Sequence, residues 1–439
     1  MPSDRPGLSF AAYLDAQAQQ LTSQCTRCGK CVEVCPTLRS GHAPLGEAAP
    51  EEVITGVVNF LRGGALLDPS RVWAEVCMGS GECIPACPEH INPRLMLTIA
   101  ASRIKAAKSE RGENPTAAYF KRMSQIINLA AGMQMSPEQY RRLTGRAGGS
   151  DRSDIVMYLG CNVLRTPVIV FSLLDILDRL GVGYAVLGGV ANCCGLVHLK
   201  LEGDVDGMDV IANRTIDKMI AFNPRTVLQW CPSCVLQFDE TVRGFRPYPF
   251  EFQHVSDFLV GQLDRLRALF VQPVRRRVAL HRHDGGLGIA EKVAQLLAAV
   301  PGLEIVPIEE HFDWAYSCGP GALGNVAAAR EASHRQTIRS AVEAGAEVLV
   351  TQYHTCHRDL TAFEGQYPLE VKNWTSLLAG AMGLEEHEDR YKRYKLHDDI
   401  NAILADAKEF IEANNLDTST IREILPNLLA GKERGLSVW

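Results

Sequence analysis

The chain has 439 residues, 46% of them hydrophobic, and a formal net charge of −6. This length allows two to four domains with buried cores. An acidic balance without a basic stretch interleaved with aromatic residues argues against a nucleic-acid partner.

The sequence contains no pattern expected of a secreted or membrane-spanning chain. The N-terminus lacks the basic and apolar regions of a signal peptide. The most apolar segment, residues 167–191, carries Asp175, Asp178 and Arg179, which are costly in a bilayer. The 14 cysteines fall into metal-binding spacings rather than a disulfide framework. We therefore expect a cytoplasmic protein, with peripheral docking on the cytoplasmic face of a membrane as an alternative.

Residues 1–108 predict a small helical module built around two cysteine runs. The first, Cys25-x2-Cys28-x2-Cys31-x3-Cys35-Pro36, has bacterial ferredoxin spacing, in which the fourth cysteine ligates the other cluster. The second run has three cysteines, with Ser80 at the position of the missing ligand. By this crossed rule, the last cysteine of each run ligates the cluster of the other run. It predicts a complete cubane [4Fe-4S] site at Cys25, Cys28, Cys31 and Cys87. It leaves a site with three thiolates at Cys35, Cys77 and Cys83.

The three-thiolate site allows two kinds of cluster. The run C-x5-C-x3-C-P followed by Ile91-Asn92-Pro93 is similar to the iron–sulfur subunit of succinate dehydrogenase, which implies a [3Fe-4S] cluster. The alternative is a [4Fe-4S] cluster with incomplete thiolate ligation, in which the Ser80 oxygen binds the fourth iron. A neutral hydroxyl is a poor ligand for such a soft site, which favours [3Fe-4S].

Residues 109–150 predict a helical bridge, in which Asn114-Pro115 and Ser136-Pro137 each mark a helix start. Residues 151–273 predict an α/β unit with strands over 155–158, 184–187 and 226–230. Cysteines follow each strand, where α/β proteins usually place their chemistry. They are Cys161, Cys193, Cys194, Cys231 and Cys234. Five thiols exceed the four that a tetrahedral zinc ion needs, and indicate an iron–sulfur assembly of unusual shape.

This spacing, with Gly195 completing a Cys-Cys-Gly triplet, resembles the cysteine-rich domain of the B-type polypeptide of heterodisulfide reductase. The resemblance implies that the five cysteines hold a noncubane [4Fe-4S] cluster that works on disulfides. With the ferredoxin runs included, the chain is similar to the fused C-plus-B, or D-type, polypeptide of that family. The resemblance covers residues 20 to about 360 and is strongest over the first 235.

The same unit recurs over residues 274–380, with offsets of 122 to 124 residues, as an internal repeat. Its thiol positions have changed to Asp284, Ser317 and Tyr353, while Cys318 and Cys356 remain. Three histidines lie nearby in sequence: His283, His354 and His357. The favoured interpretation is a degenerate copy kept for packing. The alternative is a substrate pocket or a histidine/cysteine metal site.

Residues 381–439 predict amphipathic helices that pack on the same chain, with Thr420-x-x-Glu423 as a possible capping box. The predicted fold class is therefore α+β. A helical ferredoxin-like two-cluster module precedes two repeated α/β cysteine-rich units.

The family resemblance implies an iron–sulfur oxidoreductase subunit acting on a disulfide or thiol substrate, free or on a small carrier protein. No G-x-G-x-x-G follows a predicted strand, so the electron partner is expected to be a flavoprotein, another electron-transfer subunit or a membrane quinone-linked protein. A rival interpretation is the electron-transfer subunit of a glycolate, lactate or glycerol-3-phosphate dehydrogenase. A zinc-bound structural scaffold fits the ferredoxin spacing poorly.

Overall fold

A computed structural model describes residues 8–41, 43, 45–145, 152–283, 285–309, 315–316, 326–397 and 399–429. The described residues up to 145 form helices joined by loops. Their helices are α1 (Phe10–Gln24), α2 (Lys30–Glu33), α3 (Pro36–Arg39), α4 (Pro50–Leu61), α5 (Asp68–Glu75), α6 (Pro93–Glu110), α7 (Tyr119–Gly132) and α8 (Pro137–Leu143). Prolines at the first turn fit these starts because an N-terminal N–H has no partner within the helix.

The first α/β unit is a parallel sheet. Its strands are β1 (Ile155–Gly160), β2 (Ala185–Gly188), β3 (Thr226–Gln229) and β4 (Glu251–His254), in the order β2-β1-β3-β4. The near-continuous apolar run of β1 is typical of a strand covered on both faces. The strand order reverses direction between β1 and β3. In open α/β sheets, ligands bind at the carboxyl ends of the strands beside such a switch point.

The second unit repeats this topology. Its strands are β5 (Arg276–His281), β6 (Leu303–Ile305), β7 (Val348–Thr351) and β8 (Glu370–Asn373), in the order β6-β5-β7-β8, all parallel. The predicted α+β architecture, with a helical module and two repeated units, is confirmed. The strands β4 and β8 were not predicted.

Helices cover both sheets. They are α9 (Pro167–Arg179), α10 (Val205–Ala221), α11 (Pro232–Leu236), α12 (Val255–Val260), α13 (Leu263–Leu269), α14 (Ile289–Ala298), α15 (Ala327–Glu343), α16 (His354–Leu360) and α17 (Trp374–Ala381). Two π-helical turns, His198–Glu202 and Gln237–Val242, follow the cysteine loops of the first unit. Such turns occur frequently at functional sites.

The two units share one hydrophobic core. Trp230 of the first unit stacks on Trp374 of the second, with ring centroids 5.8 Å apart. The Trp230 indole nitrogen also donates a hydrogen bond of 3.1 Å to Nδ1 of His354. The carboxyl-end loops of the two sheets therefore contact each other directly.

The C-terminal helices pack on the bridge, as predicted. They are α18 (Arg390–Leu396), α19 (Ile400–Asp406), α20 (Lys408–Ala413) and α21 (Thr418–Leu429). Ile421, Leu425 and Leu428 are buried in a cluster with Ile126 and Met133. Trp439 lies outside the described residues.

Two predicted helix starts were wrong. Helix α21 begins at Thr418, where the Asp417 carboxylate accepts the Thr420 N–H at 2.9 Å, so Thr420 does not cap it. Asn114 instead forms a local turn by accepting the Thr116 N–H at 3.0 Å, and α7 begins only at Tyr119. Both Asx side chains bond to nearby backbone N–H groups, but only Asp417 lies at a helix start. Among the described residues, no helix combines the length and apolar character needed to cross a bilayer.

Candidate iron–sulfur sites

Four cysteines of the N-terminal module line one small cavity. Cys25 and Cys28 come from the segment between α1 and α2, Cys31 comes from α2, and Cys87 comes from the loop before α6. Burial, and then the charges of the other three thiols, raises the pKa of Cys31 to about 12. A bound cation is needed to hold such a group as thiolates. The arrangement fits the four-thiolate cluster that the crossed rule predicts.

Three further cysteines form a second group beside the first. Burial, and then the charge of Cys77, raises the pKa of both Cys35 and Cys83. The charge of Cys31, from the four-thiol group, also raises the pKa of Cys83. The two predicted ferredoxin-type sites are therefore neighbours.

The loop around Ser80 is shaped by the second α/β unit. Gly79 and Gly81 flank the half-buried Ser80 with φ of +72° and +87°, which disfavours side chains at both places. A Cβ on Gly79 would lie 2.6 Å from the Tyr316 ring, and Gly79 pairs with Ala315 in an isolated antiparallel bridge. The loop is held by residues more than two hundred positions away in sequence.

The five cysteines of the first α/β unit line a single cavity of about 80 Å³. They follow β1, β2 and β3, so they meet at the carboxyl edge of the sheet beside the switch point. Sγ of Cys161 and Sγ of Cys193 are 3.9 Å apart. One water needs roughly 10–15 Å³, so this space suits a group of several atoms rather than a single ion.

Close packing around these thiols depends on Gly160. Its φ is +71°, and a Cβ there would lie 3.2 Å from Sγ of Cys234. On the other side of the cavity, the backbone N–H of Gly195 donates to Sγ of Cys193 at 3.5 Å. The Cys-Cys-Gly turn thus supplies a donor as well as two thiols.

The five thiols also perturb one another's ionisation. Hydrogen bonding to Cys193, together with burial, raises the pKa of Cys161. Hydrogen bonding to Cys193, together with burial, also raises the pKa of Cys194, and hydrogen bonding to Cys194, together with burial, raises that of Cys234. Hydrogen bonding to neighbouring thiols lowers the pKa values of Cys193 and Cys231. Because the group is buried, it cannot become five thiolates without bound positive charge. The donor set therefore fits an iron–sulfur cluster.

Lys200 connects this cavity to the ferredoxin-type module. Its side chain lines the cavity, while Nζ donates a 2.9 Å hydrogen bond to the backbone carbonyl of Cys77. Burial lowers the pKa of Lys200. Sequence analysis missed this residue because no spacing marks a lysine on a π-helical turn.

Residues outside the first unit complete the cavity wall. They are Tyr119 and Met123 from α7, and His354 and Thr355 from the second unit. Burial lowers the pKa of His354 well below its usual range.

In the second unit, the candidate metal ligands that lie together in the structure differ from those suggested by the sequence. His281, His283 and Cys356 place their ligand atoms within 4.8 Å of one another, and all three are buried. The other two predicted histidines are engaged elsewhere, because His354 accepts from Trp230 and His357 contacts Asp389 at 2.6 Å. Tyr353 is buried. Three predicted positions lie outside the described residues: Asp284, Ser317 and Cys318.

Family models match the cysteine-bearing segments. A 4Fe-4S binding domain matches residues 21–38, and a cysteine-rich domain matches residues 155–239 and again 280–361. The second match covers the copy that has lost most of its thiols. Iron–sulfur binding and the internal repeat are thus supported independently of the fold.

Similarity to known proteins extends over most of the chain. The D polypeptide of the dihydromethanophenazine:CoB–CoM heterodisulfide reductase of Methanosarcina barkeri is 24% identical over 419 residues, covering 88% of this chain and 99% of that protein. The chain is thus similar to heterodisulfide reductase iron–sulfur proteins over most of its length. The same polypeptide of Methanosarcina mazei is also 24% identical, over 88% of this chain and 100% of that protein.

A further relative of this heterodisulfide reductase-like chain carries a different name. The B polypeptide of the fumarate reductase (CoM/CoB) of Methanothermobacter marburgensis is 23% identical over 338 residues, covering 73% of this chain and 63% of that protein. The relatives are thus named as subunits of reductases.

Proposed function

We propose that this chain is the iron–sulfur subunit of a disulfide reductase-type enzyme, which exchanges electrons with a disulfide or thiol substrate. When bound, the clusters supply one-electron transfer and an iron centre for the substrate's sulfur. The convergence of the five thiols on one cavity carries the proposal. Lys200 places the wall of that cavity in contact with the backbone of Cys77.

The three cysteine groups have separate roles in this proposal. Cys25, Cys28, Cys31 and Cys87 hold a cubane [4Fe-4S] cluster. A [3Fe-4S] cluster, or a [4Fe-4S] cluster with incomplete thiolate ligation, is held by Cys35, Cys77 and Cys83. The noncubane [4Fe-4S] cluster is held by Cys161, Cys193, Cys194, Cys231 and Cys234.

The protein around the five thiols keeps water away from the reacting sulfur. Apolar side chains of Met123, Leu196, Val197 and Leu201 form much of the wall. A dry site strengthens each electrostatic interaction within it and limits side reactions of reduced sulfur. His354 is held in place by Trp230, so the second unit fixes one side of the cavity.

Two observations indicate the partners: the sequence has no G-x-G-x-x-G motif after a predicted strand, and its relatives are named as subunits of reductases. We infer that the chain works in the cytoplasm, and that electrons come from, or go to, a flavoprotein, another electron-transfer subunit or a membrane quinone-linked protein. The substrate is a disulfide or thiol, free or on a small carrier protein. The relatives' names as lettered components of reductases support a role within a complex.

Replacement of Cys194 by alanine tests the proposal. The wild-type protein should develop a paramagnetic signal when oxidised in the presence of thiol substrate, if a cluster held by the five cysteines takes part in the reaction. Cys194→Ala should abolish that signal and leave the ferredoxin-type signals, since their ligands lie in another module. Electron paramagnetic resonance under anaerobic conditions measures both.

Ser172→Ala provides the matched control. Ser172 is also buried, but it lies on α9 and does not line the cavity. This variant should keep the thiol-induced signal. Absence of any thiol-induced signal in the wild type, with normal ferredoxin-type signals, would instead favour the dehydrogenase-type electron-transfer subunit.

A further inference from the structure

The second α/β unit has its own cluster of ligand atoms at the position equivalent to the five-cysteine site. Strands β1 and β3 pair Tyr158 with Gln229, and β5 and β7 pair His281 with Thr351. The offsets are 281 − 158 = 123 and 351 − 229 = 122 residues, which match the internal repeat. The carboxyl ends of β5 and β7 therefore form the switch point of the second sheet, where a ligand is expected.

Two histidines stand where the first unit has no metal-binding side chain. His281 takes the place of Tyr158, whose hydroxyl lies 3.8 Å from Sγ of Cys234. His283 takes the place of Gly160, where a Cβ would lie 3.2 Å from the same sulfur. Cys356 is the counterpart of Cys234, so both imidazoles face the Cys356 thiol.

The geometry of these three side chains is compact. Nε2 of His281 and Nε2 of His283 are 2.8 Å apart, and one ring nitrogen of each histidine lies within 4.8 Å of Sγ of Cys356. The three side chains are 1%, 2% and 0% exposed, so bulk water does not reach the group. Ligand atoms around tetrahedral zinc stand about 3.3–3.8 Å apart, so an ion would require only a small spreading of the imidazoles.

We propose that His281, His283 and Cys356 bind one zinc ion, which holds the carboxyl edge of the second unit together. Two imidazoles and one thiolate form a donor set that suits zinc, whereas iron–sulfur clusters prefer thiolates throughout. The complete burial of the ligands fits a structural rather than a catalytic ion.

A fourth ligand is available close by. His334 is 6% exposed, and its ring centroid lies 6.2 Å from that of His281. Nε2 of His334 is buried without a hydrogen-bond partner in the described part of the chain. An unsatisfied buried nitrogen is costly, so ligation of the ion by His334 would remove that penalty.

Metal analysis of untagged, anaerobically purified protein, after equilibration with one equivalent of Zn²⁺ and dialysis, tests the proposal. The wild type should retain about one zinc per chain. Its zinc K-edge absorption should show one sulfur at about 2.3 Å and nitrogens at about 2.0–2.1 Å. Retained zinc should fall at least about tenfold in His283→Ala and Cys356→Ser, with unchanged iron content.

His387→Ala is the matched control, because His387 pairs with Asp175 at 2.6 Å, away from this cluster. It should retain zinc like the wild type. Three results would overturn the proposal: wild-type protein without zinc, zinc coordinated by four sulfurs, or zinc that persists in both variants. The wild-type spectrum decides the question even if a variant fails to fold. Iron content and thiol-induced signals report separately on the proposed function.

Discussion

Ser80 is the residue that distinguishes the second ferredoxin run from a complete one. It stands where a cysteine ligand would be expected, between two glycines with left-handed backbone. The Tyr316 ring packs against one of these glycines, so the loop cannot easily move to bring in another ligand. The number of thiolates at this site is therefore fixed by one side chain.

Ser80→Cys should convert a [3Fe-4S] site into a [4Fe-4S] site, because it restores the fourth thiolate in the fixed loop. The added iron and thiolate change the charge of the cluster, and its reduction potential should fall. Redox-poised electron paramagnetic resonance measures both changes. Oxidised wild-type protein, never exposed to air, should show the near-isotropic [3Fe-4S] signal. Its absence, with an unchanged spectrum in Ser80→Cys, would show that Ser80 or another donor already completes the site.

At the residue scale, sequence analysis predicted ligands that occur in short, regularly spaced runs. The crossed grouping of Cys87 with Cys25 could be predicted because ferredoxin spacing encodes it. The contact of Lys200 with Cys77 joins residues 123 positions apart and has no local signature. His281 was missed for a similar reason, since only its structural equivalence to Tyr158 places it at the switch point.

At the level of elements, the central strands were predictable and the edge strands β4 and β8 were not. Strand β1 is buried over almost its full length, and its apolar run is visible in the sequence. Strand β4 reads Glu-Phe-Gln-His and is exposed or half-buried throughout, so its periodicity is weak. The cysteine loops follow β1, β2 and β3, which explains why the site could be predicted without β4.

Helix α6 connects the module to both α/β units through Arg94. Its guanidinium contacts the Glu240 carboxylate at 2.5 Å and donates to the carbonyls of Gly79 and Gly285 at 3.0 and 2.6 Å. The Arg94 side chain is only 7% exposed. Removal of this one charge leaves a largely buried carboxylate and two carbonyls without their donor.

Arg94→Met should therefore destabilise the protein by about 3–5 kcal/mol, the range for breaking a buried ion pair. It should also broaden the signal of the three-thiolate site, because Gly79 belongs to the Ser80 loop. Anaerobic urea denaturation and electron paramagnetic resonance measure the two effects. Arg335→Met removes an exposed pair with Glu331 and should change neither. Equal effects of both variants would show that Arg94 is not a structural connector.

For the whole molecule, the ligand counts predict iron content. One cubane [4Fe-4S], one noncubane [4Fe-4S] and one [3Fe-4S] cluster give about eleven irons per chain. Anaerobically purified protein should contain iron and acid-labile sulfide close to that number. About four irons, with zinc in the remaining cysteine sites, would contradict the assignment of all three groups.

The bridge between Gly79 and Ala315 sets an order for biosynthesis. The four-thiol site is complete in sequence once Cys87 has been synthesised. The loop of the three-thiol site can pair with Ala315 only after a further 315 − 79 = 236 residues have been synthesised. At 5–20 residues per second, that delay is roughly ten to fifty seconds. Assembly factors that act on the nascent chain would therefore meet a finished first site and an unsupported second one, which should receive its iron only after Ala315 has left the ribosome.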